Sequence, residues 1–515
     1  MQNNVGLFLS KRAQLNPDLE AIVDADTGRR LSFEDLNRRA NRVAEFAANL
    51  GVKKGDRVAL LMMNCSEYVE SFFGLAKIGA IVVPLNWRLV PDELAYILKD
   101  SGASVLIYGH EFAKSVAELH GRGSAGANLR HWIEVGEAGD RQVFAEPYDA
   151  LVEAANDREP AIAARDDDLL FIMYTSGTTG HPKGAVQTHQ TVLWACLTFR
   201  ASAEMRFKDR FLNPLPMFHV GALVPLILDV YTGATTIMMR QFDPGRTWQT
   251  IEQEQATIMI AVPAMLNFML QVPQRETCDV SSLRWCMSGA APVPVALMTA
   301  CAENGIEVHQ VYGLTEACGP ACLISPDDAV RRVGSTGKAF FHTDVRLVDA
   351  AGRDVAPGEP GELIVRGQHV MKGYWNNPKA TAETIRDGWL HTGDVATIDE
   401  AGFITILDRT KDMIISGGEN VYPAEIEEVI TGHDKVAEVA VIGQPSEHWG
   451  ESPIAVVVKA DETLSEADVM RHCDGKLARY KLPKGVAFID EIPRNPSGKA
   501  LKRLLREQFP GPAPE

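Results

Sequence analysis

No run in this sequence approaches the ~18 consecutive apolar residues that a membrane-spanning helix needs. The N-terminus, Met1-Gln2-Asn3-Asn4-Val5, has no basic segment followed by an apolar stretch, so no signal peptide is expected. Paired cysteines are missing too. The eight cysteines (Cys65, Cys196, Cys278, Cys286, Cys301, Cys318, Cys322 and Cys473) are scattered, and none forms a C-x-x-C pair. That excludes a zinc ribbon and a thioredoxin-type site. Free thiols in a reducing cytoplasm are the expectation. Basic charge is in deficit: Lys and Arg number 51 against 68 Asp and Glu, for a formal net charge of −17. Nonspecific nucleic-acid binding is not expected at that balance. An acidic surface also opposes strong attachment to anionic lipid, although a local basic patch would still permit peripheral contact.

What is present fits a folded protein of several domains. The chain has 515 residues, 46% hydrophobic and 23% charged. That is too long for one ordinary core, and two or three domains are expected. The first part alternates between helix-like and strand-like segments, which predicts an α/β fold. Ser32 can cap a helix in which Phe33, Leu36, Ala40, Val43, Ala47 and Leu50 recur at helical spacing. Val58 to Met62 reads as a buried strand, Ser66 to Lys77 as a helix and Ile81 to Val83 as a second strand, together a βαβ unit. A similar unit runs from Gly79 through a helix near Asp92 to Lys99 and a strand near Ser104 to Tyr108. Another runs from Gly233 through Thr247 to Glu254 and Thr257 to Val262. Two halves of one large body would account for the repetition.

From Val345 the texture changes. Val345 to Val348, Glu362 to Val365 and Phe403 to Leu407 are short strand-like runs between Gly and Pro turns, as in a small β subdomain. After Asp408 the pattern is compact α+β. A helix starts at Pro423, strands cover Val436 to Ile442 and Ile454 to Val458, and Ser465 caps a helix running to about Arg479. A last strand covers Val486 to Ile489. The tail from Pro510 is expected to be disordered. The predicted division is an N-terminal domain over 1–407 and a C-terminal one over 408–515, separated by Asp408-Arg409-Thr410-Lys411.

Several motifs carry chemistry. Tyr174-Thr175-Ser176-Gly177-Thr178-Thr179-Gly180-His181-Pro182-Lys183-Gly184 follows a short apolar run. Glycines let backbone approach a ligand closely, and amide and hydroxyl groups can cradle phosphate oxygens beside the Lys183 charge. The loop is not a Walker A motif, which requires G-x-x-x-x-G-K-[ST]. In Tyr312-Gly313-Leu314-Thr315-Glu316, a carboxylate near a phosphate site calls for an intervening cation, so Glu316 suits Mg²⁺. Thr315 can donate to a phosphate, and Tyr312 offers a face to a base. The small residues of Ser288-Gly289-Ala290-Ala291-Pro292 leave room for a flat ring. Asp394, in Thr392-Gly393-Asp394, can accept from both ribose hydroxyls, and Arg409 can reach a hydroxyl or a phosphate. Paired Gly417 and Gly418 permit a narrow passage. Lys499, on a turn in Pro493-Arg494-Asn495-Pro496-Ser497-Gly498-Lys499, can stabilise charge that builds in a transition state. Each motif alone also fits a plainer role: a polar loop, a surface glutamate, a tight turn, a solvated basic residue.

Taken in order from Phe171 to Lys499, these motifs resemble those of the adenylate-forming superfamily, which includes acyl-CoA synthetases, nonribosomal adenylation domains and luciferases. The resemblance implies a large α/β body with a β subdomain and a small mobile α+β lid. It implies an ATP site formed by Thr175 to Gly180, Lys183, Gly289 to Ala291, Tyr312, Gly313, Asp394 and Arg409, with Mg²⁺ on Glu316 and Thr175. Thr315 and Lys499 serve adenylation, and Lys411 is the hinge. His219, in Pro216-Met217-Phe218-His219-Val220-Gly221, matches the aromatic gate of the thiol tunnel; with no partner histidine at ligand spacing it is not a metal ligand. Gly417, Gly418, Trp449, Tyr480 and Lys484 match positions near coenzyme A. Pro496-Ser497 departs from the usual Thr before Ser-Gly but keeps a hydroxyl beside the Gly-Lys pair.

The stretch Asp412 to Pro423 most resembles fatty acyl-CoA and feruloyl-CoA synthetases. The expected activity is ATP-dependent formation of an acyl-adenylate from a carboxylic acid, with loss of pyrophosphate, followed by transfer to coenzyme A. A medium- or long-chain fatty acid is the favoured substrate, and a hydroxycinnamate or other aryl or alicyclic acid the alternative. A carrier-protein loader has no attached carrier domain in its favour, and an acyl-AMP ligase would need an insertion that is not evident. A nucleotide sensor without catalysis predicts loss of Lys499 or Glu316, and both are present.

Overall fold

The computed structural model describes every residue except 1–2, 124–127, 137–140, 176–180, 291–292, 294, 326–327, 329–330, 333, 350, 410–413, 422, 494–499, 501 and 512–515. The chain forms two compact units. One comprises Met1–Trp87, Leu98–Tyr174 and Gly184–Leu407; the other comprises Arg88–Ile97, Thr175–Lys183 and Asp408–Glu515.

The larger unit is built on two mostly parallel sheets. Eight strands make the first, in the order Gly373–Tyr374, Lys183–Thr188, Leu169–Thr175, Ile81–Pro84, Arg57–Leu61, Val105–Gly109, His131–Val135, Glu146–Pro147. Nine make the second: Lys338–Ala339, Gly319–Leu323, Val308–Leu314, Trp285–Ser288, Ile258–Ala261, Arg210–Asn213, Thr235–Met238, Glu20–Asp24, Arg30–Ser32. The repetition read from the sequence is a topological one. In one sheet Arg57–Leu61 lies between Ile81–Pro84 and Val105–Gly109, parallel to both. In the other Arg210–Asn213 lies between Thr235–Met238 and Ile258–Ala261, again parallel to both. Parallel strands need crossover helices. Ser66–Ile78 and Pro91–Ser101 supply them in the first repeat, Val220–Thr232 and Pro244–Glu254 in the second.

The helix at Ser32 forms as its sequence dictates. Its span is Phe33–Asn49, and Ser32 and Asp35 close a reciprocal capping box. Phe33, Leu36, Ala40, Val43, Phe46 and Ala47 are buried along one face, and each large apolar side chain there contributes about 1.5–3 kcal/mol relative to exposure. Beyond the parallel sheets, Asp344–Val348, Gly361–Arg366, Trp389–Ile398, Ile385–Arg386 and Ile404–Arg409 form the small β sheet.

In the smaller unit, Ile414–Ser416, Glu419–Val421, Val436–Ser446, Gly450–Lys459 and Gly485–Phe488 form one sheet. The helices Pro423–Thr431 and Glu466–Cys473 bury Ile426, Ile430, Val469 and Cys473 in its core. The last of these helices is shorter than its periodicity suggested. It stops at Cys473 because Asp474 turns to ψ 134° and Gly475 takes φ +73°. Of the tail from Pro510 to Glu515 that was expected to be disordered, residues 512–515 lie outside the described residues. Among the described residues, no helix is long and apolar enough to cross a membrane.

Candidate active site

In open parallel sheets, ligands bind beyond the carboxyl ends of the strands. Three of the motifs sit there on the nine-stranded sheet. Trp285–Ser288 and Val308–Leu314 are parallel neighbours, with Cys286 opposite Val308 and Ser288 opposite Gln310. The first ends at Gly289 and the second runs on into Tyr312-Gly313-Leu314-Thr315-Glu316. A Cβ at Gly289 would lie 2.5 Å from the Val311 carbonyl oxygen, so only glycine fits between the two strand ends. Ala290 follows at φ +68°, a left-handed conformation that costs an L-residue energy and turns the chain away sharply. Ala291 is outside the described residues.

Past Gln310 the second strand changes partner and pairs antiparallel with Gly319–Leu323, with a register shift between Tyr312 and Gly313. The bend is tight. A Cβ at Gly313 would fall 1.6 Å from the Gly319 carbonyl oxygen. Thr315–Ala317 form the 3₁₀ turn at the tip, closed by Cys318 at φ +55°. This hairpin aims Tyr312 and Glu316, four residues apart, at two separate tyrosine–carboxylate contacts.

The Tyr312 hydroxyl donates to Asp394 Oδ2 at 2.5 Å. Asp394 is buried in Trp389–Ile398 of the small β sheet. Its backbone is set by the Thr392 hydroxyl, which accepts from the Asp394 N–H at 3.1 Å and donates to the Leu363 carbonyl at 2.6 Å. Gly393, at φ +74°, allows that turn. The Tyr374 hydroxyl donates to Glu316 Oε1 at 2.8 Å. The hairpin tip is held by side chains and backbone together. Gln187 Nε2 donates to the Thr315 carbonyl at 2.8 Å, and the Met371 N–H donates to the Glu316 carbonyl at 2.7 Å. His369 Nδ1 donates to the Ala317 carbonyl at 2.8 Å, and its Nε2 accepts from the Thr343 hydroxyl at 2.8 Å. Burial lowers the His369 imidazole to about 4, so it is neutral in that role at ordinary pH.

His219 occupies the N-cap of Val220–Thr232, beyond the carboxyl end of Arg210–Asn213, and is half-buried. Its ring lies 4.4 Å from that of Phe218, which meets Trp87 edge-on at 6.0 Å. The loop leading to it is pinned by buried Asn64, which accepts from the Met217 N–H at 2.9 Å and donates to the Leu215 carbonyl at 2.8 Å.

Thr175 ends one strand and Lys183 begins the next, and the Thr175 hydroxyl donates to the Lys183 carbonyl at 3.4 Å. The loop between them, Ser176 to Gly180, is outside the described residues, as are Lys411 and Lys499. Arg409 is the last residue of Ile404–Arg409. Within the smaller unit, Gly417 and Gly418 turn the hairpin between Ile414–Ser416 and Glu419–Val421, at φ +59° and +81°. Trp449 lies against Gly417: a Cβ there would be 2.8 Å from its ring, and the Gly417 N–H donates to the Trp449 carbonyl at 2.8 Å. Tyr480 packs partly into the core of this unit, and Lys484 is exposed.

The sequence reading passed over Tyr374, Gln187, His369 and Lys481. The first three act on the Glu316 hairpin from segments distant in sequence, so no local spacing marks them. Lys481 lies between two motif residues. Its ammonium is buried and pairs with Glu93 at 2.5 Å and Glu425 at 2.8 Å.

The chain also matches known proteins. Residues 9–375 match the AMP-binding enzyme family, and residues 425–499 match the AMP-binding enzyme C-terminal domain. The chain is 46% identical over 512 residues, 99% of its length and all of the relative's, to the long-chain-fatty-acid–CoA ligase FadD13 of Mycobacterium tuberculosis. It is 41% identical over 507 residues, covering 98% of this chain and 99% of the other, to a feruloyl-CoA synthase of Amycolatopsis sp. Among solved structures, it superposes on a Mycobacterium tuberculosis fatty acyl CoA synthetase with a TM-score of 0.76, at 44% identity and 98% coverage of both chains. It superposes on Bacillus subtilis o-succinylbenzoate CoA synthetase, bound with a product analogue, with a TM-score of 0.87, at 32% identity and 98% coverage of both.

Proposed function

This chain belongs to the AMP-binding enzymes, and on that footing we propose that it joins a fatty acid to coenzyme A through an acyl-adenylate, consuming ATP and releasing AMP and pyrophosphate. The observation that carries the reading is the pair of carboxylates, Asp394 and Glu316, each held by a tyrosine hydroxyl around one hairpin. The full-length likeness to a long-chain-fatty-acid–CoA ligase supports coenzyme A and the fatty acid. The likeness to a feruloyl-CoA synthase supports the second reading, an aryl acid.

The proposed roles follow from chemistry. A carboxylate can accept from several donors, so the Tyr312 bond orients Asp394 and leaves acceptor capacity for ribose hydroxyls. The base is proposed to lie against the turn that follows Gly289, where Ala290 adds only a methyl group. Glu316 fits Mg²⁺. It is a hard oxygen donor, and among the described residues no group of three or more His, Cys, Asp or Glu could hold a metal. A cation held by Glu316 would draw its remaining ligands from water and substrate phosphates, as Mg²⁺ commonly does. Thr175 is proposed as a second oxygen ligand. When bound, Mg²⁺ supplies neutralisation of the triphosphate charge. His219, on a half-buried helix N-cap beside Phe218, is proposed as the gate to the thiol. Gly417, Gly418 and Trp449 are proposed to line the thiol's path, with Tyr480 and Lys484 near the nucleotide of coenzyme A. Thr315 and Lys499 are assigned to adenylation, Lys183, Arg409 and the loop at 176–180 to phosphate and ribose, and Lys411 to the hinge of a lid formed by residues 408–515. A cytoplasmic setting is part of the proposal, supported by eight cysteines without a disulfide.

The test is AMP release that requires Mg²⁺, ATP and coenzyme A, measured across acetate, octanoate, palmitate, benzoate and ferulate. A maximum on octanoate or palmitate is expected. A maximum on ferulate would transfer the assignment to the aryl acids, and AMP release indifferent to coenzyme A would overturn the second step.

A further inference from the structure

We infer that Tyr374 is a positioning residue for Glu316, and that the segment Met371–Trp375 joins this carboxylate to the strand that leaves the phosphate loop. The inference rests on the role proposed above for Glu316. Two contacts from one short segment hold this glutamate: the Met371 N–H on its carbonyl at 2.7 Å and the Tyr374 hydroxyl on its carboxylate at 2.8 Å. The same segment is fastened to the residues just after the loop. Gly373 pairs with Val186 and Tyr374 with Ala185 in antiparallel register, and the Trp375 N–H donates to the Gly184 carbonyl at 2.7 Å.

Neighbouring contacts restrict the segment further. The Tyr374 N–H donates to the Thr381 hydroxyl at 2.9 Å, and Trp375 Nε1 donates to the Asp100 carbonyl at 3.0 Å. Gly184 cannot carry a side chain, since a Cβ there would lie 2.5 Å from Ile172 and 3.3 Å from the Trp375 Cβ. The choice of a phenol has a physical reason. It donates a hydrogen bond that fixes the direction of a carboxylate while adding no positive charge, so the full negative charge stays available to a cation. A lysine or arginine at the same place would orient the group and cancel that charge.

Tyr374→Phe keeps the ring and deletes the donor. The readout is Mn²⁺ binding to the full chain in the presence of ATP, followed by electron paramagnetic resonance, with Mn²⁺ standing in for Mg²⁺. Removing a partner that orients a metal ligand typically costs 10–100-fold in metal affinity, and a loss of about ten-fold is expected here, with an unchanged melting temperature. Glu316→Gln is expected to weaken the binding further than Tyr374→Phe does, to a level still measurable at high Mn²⁺. Because Tyr374 acts through Glu316, the double variant should bind no worse than Glu316→Gln alone. Losses that multiply, or a Tyr374→Phe protein with wild-type affinity, would overturn the inference. Wild-type ATP-dependent Mn²⁺ affinity in Glu316→Gln would instead remove the metal role of Glu316 itself.

Discussion

At position 313 there is no space for one more carbon. The Gly319 carbonyl occupies the place a methyl group would take, 1.6 Å away, and neither a Cβ nor a backbone carbonyl can rotate aside. Gly313→Ala must therefore open the hairpin that aims Tyr312 and Glu316. The expected cost is at least about 3 kcal/mol, the range in which core strain rather than a surface change is at work. Melting temperature and AMP release should fall together, and a variant with normal values of both would show that the hairpin yields. At this scale the sequence was readable wherever one residue type carries the chemistry: Glu316, Asp394 and the glycines stand out unaided. Tyr374 and His369 did not, because each reaches the hairpin by a side-chain hydrogen bond across more than fifty residues, which no spacing along the chain encodes.

Elements were legible where local rules are strong. The helix capped by Ser32, the helices of both repeats and the short strands of the β subdomain lie within a few residues of their expected places. The ten-residue strand Trp389–Ile398 was not anticipated, because His391, Thr392, Gly393 and Asp394 interrupt any apolar alternation. The helix from Ser465 was overextended, since apolar periodicity persists past the turn at Asp474-Gly475. One contact between elements has a consequence for pH. Glu425, in the first turn of Pro423–Thr431, accepts from buried Lys481 at 2.8 Å, and its other oxygen is buried without a hydrogen-bond partner. Burial pushes the Glu425 carboxyl up to about 8 from an ordinary 4.5. A raised value means that the folded chain holds this proton more tightly than the unfolded one. The stability it confers is full below about 4.5 and is lost as pH rises toward about 8. Glu425→Gln mimics the protonated form and keeps the acceptor. Its melting temperature relative to wild type should climb steadily between pH ~5 and ~8, and a difference independent of pH would refute the titration.

The chain as a whole is proposed to run two reactions with one small domain. That reading separates the effects of two lysines, and half-reaction assays test it. Lys499→Ala should abolish adenylate formation while sparing the discharge of supplied acyl-AMP by coenzyme A; equal loss in both would remove its assigned role. Lys411→Pro should do the reverse, and survival of both steps would put the hinge elsewhere. The layered α/β plan was legible from alternation, and the activity from motifs spread over the chain. The acid was not, because a pocket for an acyl chain is made by packing between elements. An acyl-adenylate is also an acylating agent, and a thiolate on the protein's own surface would be its nearest casualty. Seven of the eight cysteines are buried, the eighth, Cys278, is half-buried, and burial raises all eight thiols above their ordinary value. Only the thiolate is a good nucleophile. The enzyme thus keeps its own sulfur out of the chemistry it performs on sulfur, and an escaped intermediate meets water or coenzyme A before it meets a reactive cysteine.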